Sequence, residues 1–316
     1  MTIPTQHTLA TPYPVGPVHC YSAELAGELV LFDTGPPTPE ARRYLQQALP
    51  LERLRHVIVT HCHIDHYGLA AWLEREYGAT IYLPYRDSLK IARHAERLDA
   101  MVGLLDELGF ERAYLERFRI DTDTDTFFPE FPGAYKVIEE ELPAALGLKV
   151  LSCPGHSQSD LVLAGPDWAV SGDVMLRGIF QSPLLDIDLL TGRRFRNYDA
   201  YCGTLLKLAT LRGTLILPGH RESIESVDAN ILFYVTKLLE RSARIKSLDA
   251  RQPVARQVLQ LFGADLGHSF LVYLKASELV FMHDFLEQPE LLRQSLEAIN
   301  LFQPLAELFD TALHTP

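Results

Sequence analysis

The chain has 316 residues, of which 47% are hydrophobic and 22% are charged, so it holds enough apolar material for a large core and is not a disordered chain. Its formal net charge of −12 disfavours broad attraction to nucleic acid or to anionic membranes. No stretch approaches about 18 consecutive apolar residues, and the first residues lack the basic and apolar regions of a signal peptide. We therefore expect a cytoplasmic protein with neither a nucleic-acid nor a membrane partner.

The first part of the chain alternates strand-like runs with helical periodicity. Paired strands are predicted at 18–22 and 28–32, and a helix is predicted after Pro39. The β-branched run at 56–60 predicts a buried strand, residues 69–77 predict a helix that stops at Gly78, and residues 80–83 predict another strand. This order indicates an α/β layer built from β-α-β units.

The middle and the end of the chain are richer in helical patterns. Residues 86–118 predict an inserted pair of helices. The acidic segment 121–133 lacks the glycine and the glutamate that a calcium loop needs at its sixth and twelfth positions, so we expect a solvated loop there. Strands are predicted again at 148–152, 161–164, 168–171 and 214–217, with a helix at 198–211. After residue 222 the pattern is helical, apart from a strand-like run at 270–274.

Residues that commonly bind metals cluster directly after the strand at 56–60. The segment 61–66 reads H-x-H-x-D-H. Side chains two residues apart in a turn after a strand point to the same side, so His61 and His63 should face one point and Cys62 should point away. Asp65 and His66 then turn toward a neighbouring position as the next helix begins. The segment therefore predicts a metal site.

Three further segments each place a potential ligand just after a strand-like run. Each contains a glycine, which permits a tight turn at the edge of a sheet. The segments are Cys153-Pro154-Gly155-His156, Ser171-Gly172-Asp173 and Leu217-Pro218-Gly219-His220. A single histidine of this kind is usually a hydrogen-bonded core or surface residue, but four such segments in this order favour a metal centre.

The order H-x-H-x-D-H, P-G-H, G-D and P-G-H, preceded by Asp33-Thr34-Gly35 at the end of a strand, resembles the metallo-β-lactamase superfamily over roughly residues 10–222. It looks most like the glyoxalase II-like branch. The resemblance implies an α/β fold, a four-layer αββα sandwich with two metal ions at one edge. It also implies that one ion is held by His61, His63 and His156 and the other by Asp65, His66 and His220, with Asp173 bridging them.

The resemblance also suggests how the chain divides. We predict a metallo-β-lactamase-like domain at 1–222, with a helical lid inserted at about 86–134, and a helical C-terminal region at 223–316. The apolar side chains of the insert either line a substrate pocket or pack the lid against the tail; they are Met101, Leu105, Phe110, Tyr114, Phe118, Phe127, Phe128 and Phe131. Four basic residues either meet an anionic substrate group or are solvated: Arg177, Arg193, Arg194 and Arg196.

The residue types agree with this assignment. Five imidazoles and two carboxylates are too many for one tetrahedral zinc ion and suit a pair of divalent ions. Nitrogen and oxygen donors suit zinc, iron or manganese, and we expect zinc. A hydroxide bridging the two ions would be the nucleophile, because bound water loses its proton near neutral pH. Asp65 would orient this hydroxide and move its proton, and Asp33 is either a hydrogen-bonding support of the ligand loop or an ordinary turn residue.

Departures from the patterns of known branches narrow the activity. A β-lactamase of the commonest type would have no histidine where this chain has His66 and a cysteine in place of Asp173. A flavin-linked reductase of the fold would have a carboxylate in place of His63. A lactonase would carry a tyrosine shortly after Asp173, and the basic residues with which glyoxalase II binds glutathione are not recognisable in the tail. The negative net charge disfavours a tRNA-processing nuclease.

We therefore predict a thioesterase or related ester hydrolase that acts on a small acyl or aromatic substrate. A lactonase and a phosphodiesterase of the same fold stay open as alternatives. A rival of another class is a metal-containing regulatory or binding protein that acts through its helical tail, with a homodimer as a possible assembly. The complete ligand set argues for the enzyme, because an unused site need not keep all seven residues.

Overall fold

The computed structural model of the protein describes residues 3–13, 15–122, 130–249, 251–263 and 268–314. The first of its sheets has six strands. The strands follow the order β1 (Thr5–Leu9), β2 (Val18–Leu25), β3 (Glu28–Phe32), β4 (Leu54–Ile58), β5 (Thr80–Leu83) and β6 (Lys136–Val137). β1, β2 and β3 pair antiparallel, whereas β3 through β6 run parallel. The carboxyl ends of these parallel strands therefore lie at one edge.

Three helices accompany the parallel strands: α1 (Pro39–Ala48), α2 (Ile64–Tyr67) and α3 (Ala70–Tyr77). The side chain of Thr38 caps α1 by accepting a hydrogen bond from the Ala41 backbone N–H, and Pro39 occupies the first helical turn. α3 ends at Gly78, whose φ of 66° is the left-handed conformation that glycine adopts without a steric penalty. The predicted start and stop signals of these helices are thus confirmed.

A second sheet has four strands in the order β12 (Leu215–Pro218), β9 (Trp168–Gly172), β8 (Leu161–Ala164) and β7 (Lys149–Ser152). β12 and β9 are parallel, so both end at the same edge, and the other pairs are antiparallel. The short helix α7 (Ile138–Glu141) precedes this sheet. A two-stranded ribbon, β10 (Ile187–Asp188) with β11 (Arg193–Arg194), and helix α8 (Asn197–Leu208) lie between β9 and β12 in sequence.

The two sheets pack face to face and each is covered by helices. Phe32 of the first sheet and Trp168 of the second meet edge to face, with ring centroids 5.7 Å apart. Helices α1 and α3 share an apolar core with the outer face of the first sheet, and α8 shares another with the second sheet. The chain is therefore a four-layer αββα sandwich, as the resemblance to the family implies.

The insert consists of three helices, α4 (Tyr85–Ala92), α5 (His94–Glu107) and α6 (Arg112–Thr122), whereas the sequence predicts a pair. The continuous apolar periodicity hides the break between α4 and α5, where Arg93 leaves the helical conformation with φ −121° and ψ 36°. The ring of Phe118 lies 5.4 Å from that of Tyr273 in the tail, and the Tyr114 hydroxyl donates to the Ser269 carbonyl at 2.9 Å. Insert and tail thus share one apolar core.

The C-terminal region contains α9 (Val227–Ile245), α10 (Val254–Phe262), α11 (Ser269–Glu287), α12 (Pro289–Ala298) and α13 (Ala306–His314). The strand-like run at 270–274 does not form a strand; these residues form the first turns of α11. The middle of this helix is buried on several sides, from Ala276 through Met282, so its apolar residues follow no single stripe. Within the described residues, no helix has both the length and the apolar character needed to cross a membrane.

Strand β1 and the acidic run at 121–133 are two places where the structure adds to the sequence predictions or does not test them. Strand β1 was not predicted, because only His7 and Leu9 of its five residues are buried and the apolar signal is weak. Most of the acidic run lies outside the described residues, which include neither Asp123 nor Asp125, and the same holds for Phe127 and Phe128. Asp121 belongs to the last turn of α6.

Candidate metal centre

The H-x-H-x-D-H segment occupies the turn between β4 and α2. β4 ends at Ile58, and α2 begins at Ile64, so His61 and His63 lie in the turn while Asp65 and His66 lie in the first helical residues. His61 Nε2 and His63 Nδ1 are 2.9 Å apart. The segment thus presents two imidazoles before the helix and two more side chains from its first turn, as predicted.

The other three predicted residues reach the same point from the second sheet. His156 follows β7, Asp173 follows β9 directly, and His220 lies two residues beyond β12. His156 Nε2 is 3.1 Å from His63 Nδ1, and it is 3.7 Å from Asp173 Oδ2. His220 Nε2 is also 3.7 Å from Asp173 Oδ2. Residues from distant parts of the chain therefore meet at one edge of the sandwich.

The seven side chains form three overlapping groups whose ligand atoms lie within 4.8 Å of one another. The groups are His61, His63 and His156; His61, His66 and Asp173; and Asp65, His66 and His220. The first and the third match the two ligand sets inferred from the resemblance. Asp173 lies within 3.7 Å of three of the histidines from both sets, where a bridging ligand would be needed.

Hydrogen bonds at the rear of the rings determine which nitrogen faces the centre. His156 Nδ1 donates to the Ser182 carbonyl at 2.8 Å, and His220 Nδ1 donates to the Pro17 carbonyl at 2.7 Å. Since a carbonyl only accepts, each Nδ1 carries a hydrogen, and Nε2 is the ring nitrogen that faces the centre. This is how proteins orient metal-binding histidines.

Asp33 holds the ligand loop by three kinds of hydrogen bond. Its Oδ1 accepts the Thr60 backbone N–H at 2.7 Å, both carboxylate oxygens contact the Thr60 hydroxyl, and its Oδ2 lies 2.8 Å from His66 Nδ1. The residue is buried and has a φ of 58°, which aspartate tolerates better than most residues. Of the two interpretations of Asp33, the structure supports the hydrogen-bonding one.

The charges in the centre are strongly coupled. Burial disfavours ionisation of Asp173, but the imidazoles of His220 and His66 hold the pKa of its carboxyl well below its usual value. Burial also opposes protonation of His66, yet the carboxylates of Asp173, Asp65 and Asp33 raise its pKa well above the usual value. Burial lowers the pKa of His61 and His63, with the neighbouring imidazoles adding to this effect. Burial therefore favours the neutral form of His61 and His63, whereas the carboxylates favour positive charge at His66.

Three buried polar atoms indicate whether a metal fits here. In the part of the chain that the structure describes, His66 Nε2, His220 Nε2 and Asp173 Oδ1 are buried and make no hydrogen bond. They lie close together, with His66 Nε2 3.5 Å from Asp173 Oδ1 and His220 Nε2 3.3 Å from Asp65 Oδ2. Buried unpaired donors and acceptors are costly, and divalent cations would satisfy all of them. The residues present therefore fit a metal centre.

Two glycines permit this close approach. A Cβ on Gly219 would lie 2.5 Å from His66 Cε1 and 2.6 Å from Asp173 Oδ1. Gly172 has a φ of 50°, and a Cβ there would lie 2.4 Å from the Thr60 hydroxyl oxygen. Gly219 is therefore required because a Cβ would not fit, and Gly172 is required both for space and for its backbone conformation.

A cavity of about 710 Å³ opens beside the centre. Its lining includes His63, Asp65, His156, Asp173 and His220, together with apolar residues of the insert, of the segment after β9 and of the tail. Of the predicted apolar positions, Met101, Phe118 and Phe131 line it, whereas Leu105, Phe110 and Tyr114 pack in the core. Both interpretations of the insert therefore hold, each for part of the residues.

The four arginines considered for an anionic substrate group lie outside this cavity as the described residues form it. Arg194 pairs with Asp284 at 2.7 Å, and Arg196 pairs with Asp199 at 2.9 Å. Arg177 and Arg193 are exposed. An anionic substrate group bound in the cavity would therefore not be recognised by any of them.

The cavity wall contains a buried ionic network that the sequence did not predict. Lys90 Nζ lies 3.0 Å from Asp87 Oδ1 and 3.2 Å from Asp186 Oδ2, and Arg97 Nε lies 2.7 Å from Asp186 Oδ1. Gln158, two residues after His156, donates to Asp186 Oδ2 at 2.8 Å. The helical spacing of the insert gives no sign of these partners, because most of them belong to distant segments.

Tyr13 was also missed. It lines the cavity together with Asp65, and burial followed by the Asp65 charge raises its pKa to about 12. The phenol is therefore protonated at neutral pH and is a hydrogen-bond donor in the cavity wall. Its position before β2, in a turn between prolines, carries no signal that would identify it from the sequence.

Comparison with known proteins agrees with this geometry. The model of the metallo-beta-lactamase superfamily matches residues 13–220. The chain is 30% identical over 269 residues to the probable metallo-hydrolase YqjP of Bacillus subtilis strain 168, covering 79% of this chain and 82% of that protein. The chain belongs to the metallo-β-lactamase superfamily, and within it the chain is a metallo-hydrolase.

Solved structures show the same fold. A metallo-beta-lactamase family protein of Thermus thermophilus superposes with a TM-score of 0.69 at 22% identity, covering 90% of this chain and 94% of that one. A beta-lactamase domain protein of Burkholderia ambifaria superposes with a TM-score of 0.72 at 20% identity, covering 90% and 86%. Because each match covers 90% of this chain, more than residues 13–220 alone, the similarity in fold includes part of the helical tail.

Proposed function

We propose that this protein is a binuclear metal hydrolase that cleaves thioesters or related esters of small acyl or aromatic groups. The observation that carries the proposal is the convergence of seven nitrogen and oxygen donors on one edge of the sandwich, at the end of a largely apolar cavity. Donors of this kind suit zinc, iron or manganese, and zinc is the ion that we propose.

Each of the seven residues has a proposed role. His61, His63 and His156 would hold one ion, and Asp65, His66 and His220 the other, with Asp173 shared between them. Two such ions supply a water of low pKa as nucleophile and polarise the carbonyl oxygen of the substrate.

The chain itself would do three things in the reaction. The Ser182 and Pro17 carbonyls and Asp33 keep the ring nitrogens aimed at the centre. The carboxylate of Asp65, which lines the cavity, would accept the proton of the attacking water. The apolar wall of the cavity would bind the acyl or aromatic part of the substrate and exclude water from it.

Features of this chain favour an ester or thioester over other substrates of the fold. The residues after Asp173, Val174 to Leu176, are buried and apolar and offer no hydroxyl donor of the lactonase kind. The net charge of −12 disfavours nucleic-acid phosphodiesters. A small-molecule substrate is therefore proposed.

The test combines metal content with turnover. Protein purified without added metal is analysed for zinc, iron and manganese, and the same preparation is assayed with thioesters, carboxylic esters, lactones and phosphodiesters. We expect about two metal ions per chain and turnover of thioesters or esters. Asp173→Ala should abolish both, whereas Asp167→Ala, an exposed carboxylate in the turn before β9, should change neither.

Other outcomes separate the alternatives. Turnover of lactones or phosphodiesters alone would replace the proposed substrate class while keeping the hydrolase. Less than one ion per chain after reconstitution, with no turnover, would overturn the hydrolase and favour a binding protein. His156→Ala offers a second check, since a binding role would survive that substitution if the fold does.

A further inference from the structure

The wall of the cavity is built by three separate parts of the chain. Leu98 and Met101 come from α5 and Phe118 comes from α6, while Phe270 and Leu274 come from α11 of the tail. The segment after β9 adds Ile179 and Phe180. A volume of about 710 Å³ lies in the range of cavities that enclose most of a drug-sized ligand. An acetyl group would leave most of this apolar wall in contact with water.

Four charged side chains in this wall pair with one another, so that their charges cancel. Lys90 contacts both Asp87 and Asp186, and Arg97 contacts Asp186, so two cations face two carboxylates. These four side chains are mostly or almost entirely buried, with exposed side-chain fractions of 2% to 18%. A further carboxylate brought by a ligand would have to compete with Asp87 or Asp186 for its cation.

Arg221 is a cavity residue outside this network. It directly follows the predicted ligand His220, so it belongs to the metal end of the cavity rather than to the apolar wall formed by insert and tail. Its backbone therefore lies at the end of the cavity where the reacting carbonyl would be, and not at the end where the far part of an acyl group would be.

We propose that the cavity between insert and tail selects an uncharged apolar acyl group longer than butyryl, straight-chain or aryl-bearing. This inference rests on the proposed hydrolase function, since it names the part of the substrate that is bound. Each methylene transferred from water to such a wall strengthens binding about three- to fourfold. A preference for chain length therefore follows from the apolar wall, and a preference for uncharged groups follows from the cancelled charges.

The experiment compares acyl thioesters of one thiol from acetyl to decanoyl, together with an octanoyl analogue that carries a terminal carboxylate. We expect kcat/KM to rise about threefold per methylene up to octanoyl, and the terminal carboxylate to lower it by at least about tenfold. Leu274→Trp, which fills the cavity from the half-buried side of α11, should reduce the ratio of octanoyl to acetyl kcat/KM by at least about tenfold. If Leu274→Trp does not fold, Ile179→Trp is used in its place, because Ile179 lines the cavity from the segment after β9.

The control is Leu206→Trp, which adds the same ring at a position on α8 that is 45% exposed and outside the cavity, and it should leave the ratio unchanged. Turnover that is independent of chain length, or faster for the carboxylate analogue, would overturn this inference and leave the hydrolase intact. Calorimetry with 1-octanol gives a readout besides turnover. If no substrate reacts but octanol binds with a negative heat-capacity change that Leu274→Trp removes, the hydrolase fails and the apolar ligand site stands.

Discussion

The carboxylate of Asp87 accepts the backbone N–H of Cys62 at 2.6 Å, which ties the first turn of α4 to the loop between His61 and His63. The same carboxylate accepts the Ser159 hydroxyl and faces Lys90 at 3.0 Å. Burial alone would raise the pKa of Asp87, but Lys90 and the donated hydrogen bonds hold it below its usual value. The insert is therefore connected to the ligand loops by an ionised, buried group.

Replacing Asp87 by asparagine should weaken metal binding. The amide keeps the size of the side chain but leaves Lys90 with less compensating charge and gives the Cys62 N–H a weaker acceptor. We expect the affinity for zinc, measured by competition with a chelator, to fall about 10-fold or more. Asp99→Asn, which breaks an exposed ion pair with Arg119 on the neighbouring helices, is the matched control. Equal affinities in the two variants would contradict a positioning role for Asp87.

Asp33→Asn should act on the other side of the centre. Asparagine tolerates the φ of 58°, so the backbone is preserved while the charge that orients His66 is lost. The affinity for zinc should fall about 10- to 100-fold with little loss of folding stability. Glu28→Gln removes an exposed carboxylate that pairs with the buried His56 at 2.7 Å, and it should have no effect on metal binding. An unchanged affinity in Asp33→Asn would show that packing alone orients His66.

Gly219→Ala should disrupt the centre by steric contact. The added Cβ would lie 2.5 Å from His66 and 2.6 Å from Asp173, and neither side chain has room to move without losing its partners. Metal content per chain and turnover should both fall to the level of the Asp173→Ala variant. Gly203→Ala on α8 is the control, because its Cβ would meet no described atom within 4 Å and should stabilise that helix by up to about 1 kcal/mol. Normal metal content in Gly219→Ala would refute the steric argument.

Stability should fall as the pH drops below about 6.5, in part because of His7. Burial lowers the pKa of this residue below its usual value of 6.5, and its Nε2 lies 2.8 Å from the Ser22 hydroxyl. The unfolded chain then binds more protons than the fold once the pH falls through about 6.5, so the free energy of unfolding decreases. Urea unfolding of the metal-free protein between about pH 7.5 and about pH 5 measures this, and His7→Gln should show a smaller loss. Parallel pH profiles for the two proteins would contradict the assignment.

Local patterns along the chain were sufficient to predict the order of the potential ligands and the elements that carry them. Buried strands, glycine turns and helix starts are local signals, so the turn at 61–66 and the positions of His156, Asp173 and His220 at strand ends could be predicted. The same periodicities predicted an α/β layer, and the order of the four layers was implied by the resemblance. The helix at 269–287 lies in the region predicted to be helical, but its run at 270–274 has a strand-like pattern, because burial on several sides removes the apolar stripe that marks a helix.

The surroundings of the centre could be known only from the folded chain. Asp87 binds Cys62 from 25 positions away and Asp186 binds Arg97 from 89 positions away, and an acidic residue on a helix has the same local pattern whether it faces solvent or a buried lysine. The walls of the cavity likewise come from insert, loop and tail at once. Residue type and spacing along the chain identify the potential metal-ligating residues. Charge compensation and cavity shape instead arise from contacts between distant segments, which the chain brings together only when it folds.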